Sequence, residues 1–188
     1  MTAQPPAPRC VAVYCASAIG NNSAYRAEAE ALGRAIAGAG MGMVYGGANC
    51  GLMGAVADAA LAGGAEVIGV LPAVLGNREV AHAGLTRLEM VESMHERKAR
   101  MVELADAFLI LPGGYGTLDE LFEIITWAQL KIHAKPCILI NTLHYWDGLL
   151  GFLDSAVREG FLKPQYRALM LAAGSAAEAV AMVAQQGA

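Results

Sequence analysis

Short apolar segments alternate with longer segments of helical periodicity along most of the chain. Runs such as Cys10–Cys15 and Ala107–Leu111 contain no alternating polar residues, which is typical of strands that are buried on both faces. Segments such as Ser23–Ala39 instead place Ala, Leu and Ile at helical spacing, with charged residues between them. This alternation predicts an α/β fold with a mainly parallel sheet flanked by helices.

The boundaries of these elements follow from where each pattern begins and ends. The predicted strands are Cys10–Cys15, Met41–Tyr45, Glu66–Leu71, Leu85–Val91, Ala107–Leu111 and Pro136–Ile140. The predicted helices are Ser23–Ala39, Leu52–Leu61, Met94–Leu104, Thr117–Leu130, Trp146–Arg158, Pro164–Leu171 and Ser175–Gln185, and residues 72–84 are expected to be irregular. Parallel sheets bind ligands beyond the carboxyl ends of their strands, so the loops after the first five strands are the expected positions of functional residues.

Composition narrows the class of protein. The 188 residues are 56% hydrophobic and 16% charged, which excludes disorder over most of the chain. We expect one domain, residues 10–188, after a mobile proline-rich tail at residues 1–9. The formal charge of -4 argues against nucleic acid as the main partner. No apolar stretch is long enough to span a bilayer and the first residues do not resemble a signal peptide, so we expect no membrane partner.

The cysteines and histidines predict neither disulfides nor a metal site. Cys10, Cys15, Cys50 and Cys137 form no CxxC pair, which favours reduced thiols in a cytoplasmic protein. The four histidines show no metal-ligand spacing. Cys15 is also a poor candidate for a nucleophile, because no histidine is recognisably placed to activate it.

The strongest candidate for a binding site is the segment Pro112–Glu120, which follows the fifth strand and opens a helix. Gly113, Gly114 and Gly116 let main-chain amides converge, and the helix start adds partial positive charge. The segment therefore predicts an anion site, most naturally for a phosphate, to which Thr117 would add a hydroxyl donor. Neither GxxxxGK[ST] nor GxGxxG is present, which argues against an ATPase or a dehydrogenase.

The acidic residues of this segment have two interpretations. Residues 117–120 fit the capping box [ST]-x-x-[DE], in which the Glu120 carboxylate would bind the main-chain N–H of Thr117. An equally good interpretation is that Glu120 is a functional carboxylate. For Glu123, one turn further on, we expect a solvated helix face.

Residues 94–101 carry three cations near the start of another helix. Arg97, Lys98 and Arg100 are poorly placed for the helix dipole, which favours a ligand anion or a carboxylate partner. For Arg100 we prefer a solvated basic face, and we do not expect His95 to be a ligand.

Two glycine-containing loops follow the first two strands. Gly46–Gly54 allows close approach to a ligand, and close strand–helix packing explains the same glycines about as well. In Cys15–Gly20, the Ser17 hydroxyl is placed to bind a ligand or to satisfy its own turn.

Taken together, four segments resemble the LONELY GUY family of cytokinin riboside 5′-monophosphate phosphoribohydrolases, which are often mislabelled as lysine decarboxylases. The segments are GGANCGLMG, MHERKARM, PGGYGTLDE and TWAQLKIH, and the resemblance runs from about Cys10 to Phe161. It implies a Rossmann-like, doubly wound fold and a homodimer. It also implies cofactor-free hydrolysis of the N-glycosidic bond of an N6-substituted AMP to free base and ribose 5-phosphate.

The resemblance also implies the residues of the site. Arg97 and Glu120 correspond to the essential arginine and glutamate of the family. Together with these two, the residues implied in substrate binding are Ser17, Gly47, Glu79, Met94, Lys98, Gly113, Gly114, Tyr115, Gly116, Thr117 and Thr126. The chain has CASAIG where many members have a CGSS-type loop, so Ser17 keeps one hydroxyl position and Ala16 stands in place of the glycine.

The residues are consistent with this chemistry. Glycosidic cleavage passes through an oxocarbenium-like sugar, which a carboxylate such as Glu120 stabilises. Arg97 is a poor proton donor because a guanidinium group keeps its proton in proteins, so we assign it an electrostatic role. A pyridoxal decarboxylase is disfavoured, since only Lys98 among the lysines lies in a plausible cofactor loop.

Two further points are left to test. The alternative function is a non-catalytic nucleotide- or cofactor-carrying module, in which the glycine loop holds a phosphate and Glu120 only caps its helix. Trp127 and Leu130, together with the family pattern, favour a homodimer with an isologous contact.

Overall fold

The computed structural model describes residues 10–75 and 81–185. The predicted tail at residues 1–9 and the predicted substrate contact Glu79 lie outside the described residues. The strands are β1 Cys10–Tyr14, β2 Gly42–Tyr45, β3 Val67–Pro72, β4 Arg87–Val91, β5 Ala107–Ile110, β6 Cys137–Ile140 and β7 Met170–Ala173. The helices are α1 Ser23–Gly38, α2 Gly51–Ala62, α3 Met94–Leu104, α4 Tyr115–Gln129, α5 Asp147–Arg158, α6 Pro164–Arg167 and α7 Ala176–Gln185, and two short 3-10 helices span Ala73–Leu75 and Thr142–His144.

The seven strands form one parallel sheet in the order β4-β3-β2-β1-β5-β6-β7. Strands β1 and β5 lie side by side near its centre, and the chain winds outward from them in opposite directions. The predicted α/β class and doubly wound, Rossmann-like sheet are therefore confirmed.

Strand β1 shows why the apolar runs are continuous. Val11 and Val13 pack into a core formed with α1, α2 and α7. Ala12 and Tyr14 point to the other face and pack into a second core formed with α3, α4 and α5. Each face of the sheet thus needs apolar side chains, and the strand has no position left for polar ones.

The predicted helix Pro164–Leu171 is wrong in its second half. The helix α6 ends at Arg167, and β7 follows, with Met170 paired to Cys137 of β6. The apolar run Met170–Ala173 is compatible with a helix or a strand. It forms a strand because it pairs with the exposed edge of β6. The other predicted elements agree with the structure to within two residues at each end.

Residues 81 and 82 are hydrogen-bonded to the loop that follows β2. Ala81 forms an antiparallel bridge with Ala48, and the main-chain N–H of His82 donates to the Gly47 carbonyl at 3.0 Å. Across the part of the chain that the structure describes, no helix is long and apolar enough to cross a membrane.

Candidate active site

The loops that follow β1 and β5 face each other across a cleft of about 310 Å³. This is the point where the winding direction of the sheet reverses, and open α/β sheets bind ligands at such points. The starts of α2, α3 and α4 complete its walls. The cleft brings together eight of the predicted site residues: Ser17, Met94, Arg97, Gly114, Tyr115, Gly116, Thr117 and Glu120.

The glycine loop forms the floor of the cleft at the start of α4. Gly114 is the N-cap of this helix and offers no side-chain cap, while its carbonyl accepts the first helical hydrogen bond, from the Leu118 N–H at 3.0 Å. The first N–H groups of a helix have no partner within the helix. They lie here beside the cleft together with the positive end of the helix dipole, which suits an anion.

The capping box predicted for residues 117–120 is wrong. Because α4 already begins at Tyr115, Thr117 lies inside the first turn and cannot be its N-cap. The Thr117 side chain is 3% exposed and fills the space in which a Cβ of Gly113 would lie. Glycine is therefore required at position 113, and Glu120 lies one turn into the helix, in the wall of the cleft.

Arg97 and Glu120 form the only ion pair among the described residues that line the cleft. The guanidinium Nη2 of Arg97 lies 3.9 Å from Oε1 of Glu120, and the two side chains are 8% and 11% exposed. Arg97 also donates from Nε to the Val70 carbonyl at 3.1 Å, and its Nη1 lies 3.9 Å from the Met94 sulfur. A buried guanidinium that binds a main-chain carbonyl has little freedom to move, so the positive charge is fixed in place.

The field of Glu120 reaches the residues at the end of β1. Burial and then the Glu120 carboxylate raise the pKa of Tyr14 well above its ordinary value. The same two causes, in the same order, raise the pKa of the Cys15 thiol. Cys15 therefore stays protonated at neutral pH, which agrees with the prediction that it is not a nucleophile.

Lys98 lies outside the lining of the cleft, between α3 and α4. Its Nζ is 2.8 Å from Glu123 and 3.0 Å from Asp119. Burial lowers the pKa of Lys98, but the hydrogen bonds to Glu123 and Asp119 outweigh it and the net shift is upward. The expectation of a solvated Glu123 is wrong, because this carboxylate is 18% exposed and paired.

Arg100 is also paired, contrary to the expected solvated basic face. Its guanidinium binds Glu89 of β4 at 2.7 Å and Glu103 at 2.9 Å. Hydrogen bonds to Glu89 and then Glu103 raise the pKa of Arg100 above its ordinary value. His95 is 80% exposed and is not among the residues that line the cleft.

Besides Lys98, three more predicted substrate contacts among the described residues do not line the cleft of this chain. Gly47 is buried behind it, where an added Cβ would meet Leu88 and the main chain of β3. Gly113, the first glycine of the glycine loop, lines a smaller pocket of about 200 Å³ that adjoins the cleft. Thr126 lies on the outer side of α4, where its hydroxyl donates to the Phe122 carbonyl at 2.6 Å.

Five residues that line the cleft were not predicted as site residues: Cys15, Ala16, Ala18, Met53 and Asp119. Met53 of α2 lines the cleft, and Gly46 lies directly beneath the Arg97 guanidinium. Residues 46 and 47 are both glycines, and no sequence signal shows which of the two contacts a side chain from α3. Met53 carries no signal either, since a methionine at helical spacing is indistinguishable from core packing.

A larger concavity of about 550 Å³ lies at the opposite edge of the sheet, between residues 128–136 and 168–171. We place the active site in the smaller cleft because that cleft gathers the acid, the guanidinium and the glycine loop. In residues 10–75 and 81–185, no three His, Cys, Asp or Glu side chains converge so as to hold a metal ion.

Comparison with known proteins identifies close relatives. Residues 53–183 match the family described as "possible lysine decarboxylase". A cytokinin riboside 5′-monophosphate phosphoribohydrolase of Rhodococcoides fascians is 45% identical over 179 residues, which are 95% of this chain and 90% of the relative. A relative of the same name from Arabidopsis thaliana is 46% identical over 170 residues, which are 90% of this chain and 80% of the relative.

Solved structures with the same fold are more distant in sequence. The molybdenum cofactor carrier protein of Chlamydomonas reinhardtii superposes with a TM-score of 0.70 at 19% identity, covering 95% of this chain and 97% of that one. The molybdenum cofactor binding protein of Rippkaea orientalis gives a TM-score of 0.67 at 21% identity, covering 97% of each chain. At these identities the likeness is one of fold alone.

Proposed function

We propose, because this chain belongs to the family of cytokinin riboside 5′-monophosphate phosphoribohydrolases, that it hydrolyses the N-glycosidic bond of adenosine 5′-monophosphates, N6-substituted ones included. The products are the free base and ribose 5-phosphate. The observation that carries the proposal is the buried Arg97–Glu120 pair beside the glycine loop at the start of α4.

The phosphate binds at the start of α4. The N–H groups of this first turn and the helix dipole hold it without a lysine, and Ser17 faces it from the opposite wall. The ribose then extends along the helix toward Glu120, one turn further on. Met53 and Met94 form the apolar part of the cleft, where their polarisable sulfur atoms suit contact with a purine ring.

Cleavage places positive charge on the sugar ring. The Glu120 carboxylate stabilises this charge and orients the attacking water, which is the role of carboxylates in glycoside hydrolysis generally. Arg97, whose Nη2 lies 3.9 Å from Oε1 of Glu120, helps to hold the carboxylate in place. The guanidinium itself does not act as the acid.

A decarboxylase is not supported, despite the name of the matching family. Lys98 is the lysine nearest the cleft, and it lies between the carboxylates of Glu123 and Asp119. Burial lowers the pKa of Lys98, but these hydrogen bonds raise it further than burial lowers it. A Schiff-base lysine needs the opposite shift, toward the neutral amine.

The test is mass spectrometry of the products from a panel of purine and pyrimidine monophosphates. Glu120→Gln and Arg97→Ala should each abolish base release while the chain still folds, and Arg97→Ala should also lower the thermal unfolding midpoint because it removes a buried, hydrogen-bonded side chain. The matched control is Glu159→Gln, at an exposed position at the end of α5, which should turn over like the wild type. Wild-type turnover by Glu120→Gln would remove the mechanism, and tight nucleotide binding without base release by the wild type would favour a carrier.

We also propose that the protein is a homodimer that uses the outer face of α4. Tyr115, Phe122 and Leu130 expose 94%, 38% and 62% of their surfaces, and a shallow concavity at Trp127 lies between them and α3. Apolar surface of this kind marks interaction sites. A cytoplasmic location stays a prediction, and it is compatible with four cysteines that form no disulfide in the described ranges, which include all of them.

A further inference from the structure

A strained turn follows β6. Within the 3-10 helix Thr142–His144, Leu143 has φ 54° and ψ 28°, and His144 has φ 61°. Both residues occupy the left-handed region, which residues with a Cβ disfavour. Strain of this kind persists only where the surrounding structure over-determines it, and it is concentrated at functional sites.

The turn is braced from both sides by Asn141. The Asn141 side-chain oxygen accepts from the Trp146 N–H at 2.7 Å, and its main-chain carbonyl accepts from the His144 N–H at 3.1 Å. The braced turn presents Tyr145. The Tyr145 ring meets Tyr25 edge-on at 5.9 Å and Trp146 edge-on at 4.9 Å between centroids.

The Tyr145 hydroxyl reaches the glycine loop. It donates to the Gly113 carbonyl at 2.7 Å, across the pocket that adjoins the cleft. The preceding carbonyl, of Pro112, accepts from the Ala16 N–H at 3.2 Å. Two successive carbonyls of the loop are therefore held by groups that lie outside it.

The hydrogen bond to Gly113 also determines where the next amide points. In a trans peptide unit, the carbonyl of one residue and the N–H of the next point in opposite directions. With the Gly113 carbonyl held toward Tyr145, the Gly114 N–H points away from Tyr145. A peptide between two glycines has no Cβ on either side to limit its rotation, so an external bond is needed to fix it.

We propose that Tyr145 is a positioning residue for the phosphate of the substrate, which rests on the proposed function. Its hydroxyl fixes the Gly113–Gly114 peptide so that the Gly114 N–H faces the cleft and donates to the phosphate. The strain at Leu143 and His144 is the conformational cost of bringing Tyr145 to this position. The device distinguishes a nucleoside 5′-monophosphate from the nucleoside without phosphate.

The test is Tyr145→Phe in the full chain, which removes the hydroxyl and keeps the ring between Tyr25 and Trp146. Calorimetry should show AMP and ribose 5-phosphate binding about two- to tenfold more weakly, as expected for one lost hydrogen bond. Adenosine should bind as it does to the wild type, and KM for AMP should rise while kcat stays near the wild-type value. The control is Tyr25→Phe, which removes a hydroxyl from the same pocket and should leave the affinity for AMP unchanged.

Two results would overturn the inference. Wild-type affinity of Tyr145→Phe for AMP would show that the hydroxyl does not orient the loop, and an equal loss for AMP and adenosine would show a general loosening of the cleft. The proposed function fails separately. If the wild type binds AMP but releases no base, the proposed hydrolase function is refuted. The ratio of the affinities for AMP and adenosine in Tyr145→Phe still tests the role of Tyr145.

Discussion

At the scale of single residues, the position of Arg97 depends on the absence of a side chain at Gly46. Its guanidinium lies against Gly46, so that a Cβ at position 46 would overlap Nη2, and the Met53 sulfur would lie 3.3 Å from the same Cβ. The guanidinium cannot retreat easily, since its Nε is bound to the Val70 carbonyl. The lack of a Cβ at Gly46 therefore allows the Arg97 guanidinium to lie this close to the main chain after β2.

This arrangement predicts the effect of Gly46→Ala. Gly46 does not have a positive φ, so alanine is compatible with the backbone and the added methyl group acts only by displacing Arg97. We expect kcat to fall about tenfold or more, because small displacements of a catalytic group are costly. Steady-state kinetics measure the change in kcat, and thermal unfolding measures any change in stability separately.

The matched control for Gly46→Ala is Gly148→Ala in α5, where an added Cβ meets nothing within 4 Å. This variant should keep its activity and gain about 0.5–1 kcal/mol of stability from helix propensity. An unchanged kcat in Gly46→Ala would show that the placement of Arg97 is not needed for turnover.

At the scale of elements, the same four-residue motif occurs at the starts of α3 and α4, and only one occurrence is a cap. At α3, the Ser93 hydroxyl accepts from the Glu96 N–H at 3.1 Å, and the Glu96 carboxylate accepts from the Glu92 N–H at 2.8 Å. At α4, Gly114 starts the helix before the motif is reached, and Glu120 faces the cleft instead. The four-residue motif shows only that a capping box is possible. Whether its glutamate caps the helix depends on whether the N-cap residue is the first residue of the motif.

The sequence was sufficient for the order of elements from β1 to α5 and for the glycine loop, because both depend on local patterns. It was insufficient for β7, whose state depends on pairing with β6 about thirty residues earlier in the chain. It was also insufficient for Lys98 and Arg100, since their partners Asp119 and Glu89 belong to other elements. Residues whose role depends on a long-range partner are those that a single sequence describes least well.

The turn after β6 predicts a stability effect of its own. His144 is 84% exposed at its side chain and has a positive φ, so His144→Gly should raise the free energy of unfolding by up to about 1 kcal/mol by removing strain. Its 3.2 Å contact with Asp147 is a surface pair that contributes little. Chemical denaturation measures the change.

The control for His144→Gly is Arg34→Gly, at an exposed position inside α1 with ordinary helical backbone. Glycine should cost about 1 kcal/mol there. A loss of stability in both variants would mean that the left-handed backbone at His144 is not strained.

At the scale of the whole molecule, the position of Thr126 bears on whether the proposed site needs a second copy of the chain. It lies eleven residues after Tyr115 on α4, which places it about 16 Å further along the helix axis. Its side chain lies on the outer face with Phe122 and Trp127 and not in the cleft of its own chain. The substrate contact implied for Thr126 therefore requires the cleft of a second copy.

A mixing experiment tests this requirement. Glu120→Gln and Thr126→Tyr are each expected to be inactive, but a mixed dimer contains one cleft with an intact Glu120 and a neighbour with an intact Thr126. We expect activity to return when the two variants are unfolded together and refolded, because the subunits of an isologous dimer exchange equivalent contacts. Mixing Glu120→Gln with Arg97→Ala should restore nothing, since both residues lie in the cleft of the same chain. A protein that sediments only as a monomer at micromolar concentration, or a Thr126→Tyr variant with wild-type activity, would contradict a site shared between two copies.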